Sequence, residues 1–256
     1  MLWYKSWLET RWRFAIGLAI LILSAVGSVL AYPRVVELLP LVPSIDVPRG
    51  EVGRRILEMA ALSRTYRGYV WAQWLRQNMT QMLALFAALL GTGGLLAQAS
   101  GGGALFTLSL PVSRDRLLGV RVATGLAELL ALAFVPSLVL PLLSPAVGES
   151  FSVLDVLVHG TCAFFAAAVL FSMASLLSTV FSDVWRPALI VCALAACVGI
   201  AEPFFGDYSR YGLFGLMDGE MYFRGAGLPW LGLLASAAAS AAMLFAASRN
   251  LARQDF

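Results

Sequence analysis

The sequence predicts an all-α integral membrane protein with six transmembrane helices and an N-terminal interfacial helix. Three observations carry that expectation. Apolar residues make up 60% of the 256 residues and charged residues only 13%, whereas soluble domains are about half apolar and a quarter charged. The mean hydropathy is +0.81, so there is too little charge to cover a soluble surface. Six stretches reach or approach the roughly 20 helical residues needed to cross a bilayer core about 30 Å thick. They are 14–31, 79–97, 117–143, 153–180, 188–201 and 230–248. Tryptophans and arginines border several of these stretches, as boundary anchors do in membrane proteins.

The elements follow in order as one transmembrane domain over 1–256. Residues 1–13 read as an interfacial helix. Lys5, Glu9 and Arg13 recur at helical spacing as a charged stripe, while Trp3, Trp7 and Trp12 are headgroup-level anchors to membrane lipid. Lys5, Arg11 and Arg13 before an apolar run, with Val29-Leu30-Ala31 after it, resemble a signal peptide. The run is long for that role, however, and tryptophan is unusual in its charged leader. Residues 32–76 read as the longest polar connection. Pro33, Pro40, Pro43 and Pro48 break its first half, a helix becomes plausible from Glu51, and Tyr66, Tyr69, Trp71 and Trp74 form an aromatic collar before the second span.

After the second span, Ala99-Ser-Gly-Gly-Gly103 reads as a hinge. Ser113 is placed to cap a new helix, with Asp115 in its first turn, where the helix dipole favours an acid. Pro111 can alternatively open a slightly longer element. Pro136 and Pro141 should kink the third span. Phe181-Ser-Asp-Val-Trp-Arg-Pro187 reads as a tight turn, and the fifth span is short, ending at Glu202-Pro203. Residues 203–229 are rich in glycine yet too apolar for a plain loop, and read as a partly inserted segment.

Scarcity excludes several functions. The single lysine, Lys5, has too few residues before it for a G-x-x-x-x-G-K-[ST] phosphate loop. The single histidine, His159, excludes two-histidine metal motifs, so no metal centre is expected. There is no G-x-S-x-G elbow. A net charge of +3 gives no support to nucleic-acid binding. Cys162, Cys192 and Cys197 lie in apolar runs and read as small buried hydrophobes.

Glu128 is the one acid well inside a span, either a pathway or gating residue or a bonded structural acid. His159 follows Asp155 by four residues, a spacing that favours local pairing. Ala168, Ser172, Ser175 and Thr179 share one face of the fourth span, and Gly232, Ser236 and Ser240 one face of the sixth. Such faces permit close helix packing; Ser172, Ser175 and the kinking Pro136 are also candidates for a translocation path. Even division of the 18 lysines and arginines between the two sides leaves orientation open.

Leu108-Ser-Leu-Pro-Val-Ser-Arg114, followed by Arg116-Leu-Leu118, resembles the cytoplasmic segment of type-2 ABC transporter permeases. The stretch 64–91 and the terminal Arg253-Gln-Asp-Phe256 are similar to those proteins too, as is the order of elements along nearly the whole chain. The resemblance implies the membrane subunit of an ABC exporter in the cell membrane, with both termini cytoplasmic. It implies dimerisation with a second permease copy and pairing with separate ATP-binding subunits that hold ATP and Mg, with no cofactor or catalytic residue in this chain. It assigns 98–118 as the coupling segment, with Pro111, Ser113, Arg114, Asp115 and Arg116 as contacts to the ATPase. Unlike family members that carry acidic residues and a Gly-Thr ahead of this element, Gln98–Gly103 is uncharged here. The competing expectations are a secondary transporter or channel using Glu128 and His159, and a membrane scaffold without transport.

Overall fold

A computed structural model describes residues 2–38, 50, 53, 57, 60–93, 113–202, 204 and 211–253. All regular structure among them is helical. Four helices are long and apolar enough to cross a membrane: Leu2–Leu38, Asp115–Val147, Val153–Leu177 and Trp230–Ala252. Of the other two expected spans, Trp185–Ala201 has 17 residues and reaches about 26 Å at 1.5 Å per residue. The remaining one is apolar over Thr80–Gly91 and polar before that.

Helix α1 (Leu2–Leu38) runs unbroken through the expected interfacial helix, the first span and the start of the expected loop. Nothing in its Leu-, Ile- and Ala-rich sequence stops it before Pro33, and that proline removes only one backbone donor near the end. Its last turns are packed where Tyr32 meets Tyr66 and Tyr69, with ring centroids 4.8 and 5.2 Å apart. Within the helix expected from Glu51, Gly53, Leu57 and 60–62 are helical.

Helix α2 is a continuous run made of Tyr66–Tyr69 (α), Val70–Met79 (π) and Thr80–Gly91 (α). Thr65 caps it by accepting from Gly68 N at 3.2 Å. In the wide π turns, Thr80 Oγ1 donates to the Leu75 carbonyl five residues back at 2.8 Å. The expected headgroup collar is instead core: Tyr66, Tyr69, Trp71 and Trp74 are all at most 5% exposed. Tyr66, Tyr69 and Trp71 turn inward because α1 and the 213–223 segment offer them aromatic and hydrogen-bonding partners.

Helix α3 (Arg114–Leu143) passes both prolines and ends in a 3₁₀ turn, Ser144–Val147. Helix α4 (Val153–Leu177) is the centre of the molecule and touches α2, α3, α5 (Trp185–Ala201), the short α6 (Leu213–Met217) and α8 (Trp230–Ala252). Its small buried residues, Ala163, Ala166, Ala167 and Ala174, explain that position, because small side chains let helix backbones approach closely. A Cβ on Gly91 of α2 would lie 2.5 Å from the Phe171 carbonyl. A further short helix, α7 (Glu220–Phe223), follows α6. Outward faces of α1, α5 and α8 carry exposed Ile16, Leu23, Leu189, Ile200, Leu231 and Leu234. In water such a surface would be unsustainable, and in lipid it is ordinary.

Candidate functional site

The segment between α2 and α3 connects two helix ends that are fastened together. An α-helix leaves its last carbonyls without partners, and those of α2 are met by arginines from its neighbours. Arg13 of α1 donates to Leu89 O at 2.8 Å and to Thr92 Oγ1 at 3.1 Å. Arg121 of α3 donates to Thr92 O at 2.6 Å and pairs with Glu9 at 3.1 Å. Gly93, at φ +96°, leaves room for the Arg121 guanidinium where a Cβ would sit 2.6 Å from Nη2. The expected charged stripe Lys5–Glu9–Arg13 therefore engages the neighbouring helices at Glu9 and Arg13, making a clasp that joins α1, α2 and α3.

Beside the clasp, Ser113 begins α3 as expected, its Oγ accepting from Arg116 N at 3.4 Å. Asp115 and Arg116 are exposed in the first turn. Pro111 and the Arg114 side chain lie outside the described residues, as does the uncharged Gln98–Gly103. Trp3, Trp7 and Trp12 are 58%, 44% and 69% exposed, as anchors would be.

Glu128 is buried and accepts a 2.6 Å hydrogen bond from Thr10 Oγ1, while its Oε2 has no partner among the described residues. Ser172 is fully buried with its hydroxyl also unpartnered, and Ser175 donates to Gly91 O at 3.3 Å. Pro136 is buried within α3. Ser172 and Ser175 thus belong to the packed seam of α4, with Ser175 tied to α2. Gly232, Ser236 and Ser240 likewise sit in close packing, with a Cβ on Gly232 3.1 Å from Leu216.

The opposite end of the bundle holds a second polar constellation, in which the sequence singles out Asp155, His159 and Trp71 but not as one site. Asp155 accepts from Arg67 Nε at 2.8 Å and from Tyr222 Oη at 2.9 Å. The expected Asp155–His159 pairing is therefore only a backbone contact, His159 Nδ1 to Asp155 O at 2.9 Å. His159 Nε2 is buried without a partner among the described residues. Trp71 stacks on Phe223 at 4.2 Å with planes 4° apart and donates through Nε1 to Asp218 O at 3.0 Å. Glu202, closing α5, accepts from Phe214 N at 3.0 Å and caps α6. The clue available in the chain was that Arg67 and Arg76 lie close to apolar spans, where charges require partners.

Comparison with protein-family models, with curated proteins and with solved structures finds no match.

Proposed function

We propose that this chain is the membrane-spanning subunit of an ATP-driven transporter of the type-2 ABC class, working as an exporter with separate ATP-binding subunits and a second permease copy. One observation carries the reading: the Ser113-capped start of α3 presents Asp115 and Arg116 to the outside, next to the clasp at the end of α2. A helix mounted this way is joined through the clasp to two other helices and can pass a push from a partner into the bundle. In this reading α2 and α5 complete six spans, 98–118 faces the cytoplasm with both termini, and the protein resides in the cell membrane. Arg114 and Arg116 have the guanidinium forks suited to carboxylates on the ATPase. The apolar outer faces and small-residue seams favour a hydrophobic or amphipathic cargo.

Co-purification tests it. A stoichiometric ATPase should accompany the chain, and Arg114→Ala with Arg116→Ala should release it and abolish ATP-driven transport. If both assembly and transport survive those replacements, the coupling assignment falls. The unpartnered atoms of Glu128 and His159 favour a second reading, a secondary transporter with those residues as ion groups. Their positions relative to the Leu143–Val153 connection separate them by about 14 Å along the bundle axis, too far to hand over a proton directly. Proton-gradient-driven uptake by the isolated chain, abolished in Glu128→Gln, would establish that reading in place of the first.

A further inference from the structure

Residues 213–223 form a strap across one end of the bundle, made of α6, a turn at Asp218-Gly219 and α7. Much of its attachment is aromatic and electrostatic. The Trp71–Phe223 stack lies between two guanidinium groups, Arg76 over Trp71 at 5.3 Å and Arg67 over Phe223 at 5.4 Å. Asp155 ties Arg67 to Tyr222 from α4. Beyond the strap, Gly225 and Gly227 have φ of +81° and +83°, with open space where a Cβ would be. Such residues turn at little steric cost, so they form a natural hinge.

The turn itself holds Asp218, whose side chain is 8% exposed. Its Oδ1 accepts from Glu220 N at 3.0 Å. Its Oδ2 lies 3.7 Å from Arg76 Nε, beyond hydrogen-bond distance. The other groups facing it give an ionised carboxylate little help. On the strap, Glu220 is paired with Arg224 at 2.7 Å. From the end of α5, Glu202 is engaged by the amides of Phe214 and Gly215. From α4 come the Cys162 thiol and His159, whose ring lies 3.0 Å from where a Cβ on Gly219 would sit. A neutral Asp218 is accommodated here, whereas an ionised one is a buried charge with one counterion at 3.7 Å, within ion-pair but beyond hydrogen-bond distance, and two like charges. Burial accordingly raises its carboxyl to about 8, Arg76 opposing and Glu220 and Glu202 reinforcing the rise.

We propose that the 213–223 strap is a pH-responsive closure, seated on α2 and α4 by a neutral Asp218 and released about Gly225 and Gly227 when Asp218 ionises. With the strap open, Asp218 is solvated and titrates near its ordinary value of about 3.9. The closed state then binds the proton more tightly than the open one. Closure is strongest below about pH 4, weakens up to tenfold per pH unit as pH rises, and levels off above about pH 8.

Amide hydrogen exchange over 213–223, measured on the full chain in lipid nanodiscs at pH 6, 7, 8 and 9, tests this against Asp218→Asn. The ratio of wild-type to variant rates cancels both the intrinsic pH dependence of exchange and the titration of His159. It should rise by up to tenfold per unit from pH 6 to 8 and flatten beyond about pH 8. A ratio constant across the range overturns the proposal. Because Asp218→Asn could disturb the turn, Arg76→Gln provides a second arm: without the guanidinium Asp218 is harder to ionise, so the plateau must move to higher pH. An unmoved or lowered plateau also overturns it. No ATPase enters either measurement, so failure here leaves the transport reading standing.

Discussion

Gly91→Ala is the sharpest test of the packing that supports the clasp. A Cβ at this position would lie 2.5 Å from the Phe171 carbonyl oxygen and 2.7 Å from the Ala174 Cβ. Carbon–oxygen contacts between helices settle at about 3.3–3.6 Å, so α2 and α4 must separate by roughly an ångström. The nearer obstacle is backbone in the middle of a central helix and has no rotamer to escape into. Forced overpacking of this kind costs about 1–3 kcal/mol. Parting the helices also stretches the Ser175 hydrogen bond to Gly91 O, already 3.3 Å long, which adds about 0.5–1.5 kcal/mol. At about 2–4 °C per kcal/mol for a chain of this size, the melting temperature should fall by roughly 3–18 °C. Cys162 is fully buried and serves as the reporter: thiol labelling during heating, with Cys192 and Cys197 replaced by alanine, reads global unfolding. Ala174→Gly added to Gly91→Ala should restore part of the loss and leave the carbonyl contact unrelieved. A single variant melting within about 1 °C of the parent would refute the close approach of these helices.

Other expectations concern the two polar ends and one exposed glycine. Arg121→Gln removes the donor to Thr92 O and the partner of Glu9, and should cost about 2–3 kcal/mol, seen as a lower melting temperature with faster amide exchange at 89–93. Tyr222→Phe leaves Asp155 with Arg67 alone; about 1 kcal/mol of strap attachment should vanish, measurable as several-fold faster exchange over 213–223 with global melting nearly unchanged. Gly119→Ala places a methyl in open space on an exposed turn of α3, which should stabilise the protein by about 0.5–1 kcal/mol. A Gly119→Ala protein that melts lower would show that this face is covered.

Element positions were legible wherever the cause was local. Ser113 caps α3 through its own hydroxyl, and Asp115 falls in the first turn. The small-residue faces of α4 and α8 are buried as their periodicity predicts. Local pattern failed at Trp12–Phe14, where an amphipathic stretch and an apolar stretch were read as two elements although no residue interrupts the helix. It failed again at Tyr66–Trp74, because an aromatic residue beside a span has the same signature whether it faces headgroups or a protein interior. His159 shows both outcomes: the four-residue spacing to Asp155 brings a contact, yet the carboxylate is claimed by Arg67 and Tyr222 from 88 and 67 residues away in sequence.

The sequence by itself determined that the chain is helical and apolar enough for a membrane. It also determined which small-residue faces pack, though of the six spans it suggested only four are, among the described residues, helices long and apolar enough to cross a membrane. Those properties depend on composition and on residues a turn or two apart, so each is written in one stretch of chain. Tertiary structure alone decided what the charges do. Arg13 and Arg121 meet Thr92 where α1, α2 and α3 converge, and Arg76 comes within 3.7 Å of Asp218 where α2 meets the 213–223 strap at the other end. A buried charge is stabilised or strained by whatever stands within a few ångströms of it, and no spacing rule links residues 13, 92 and 121 or residues 76 and 218.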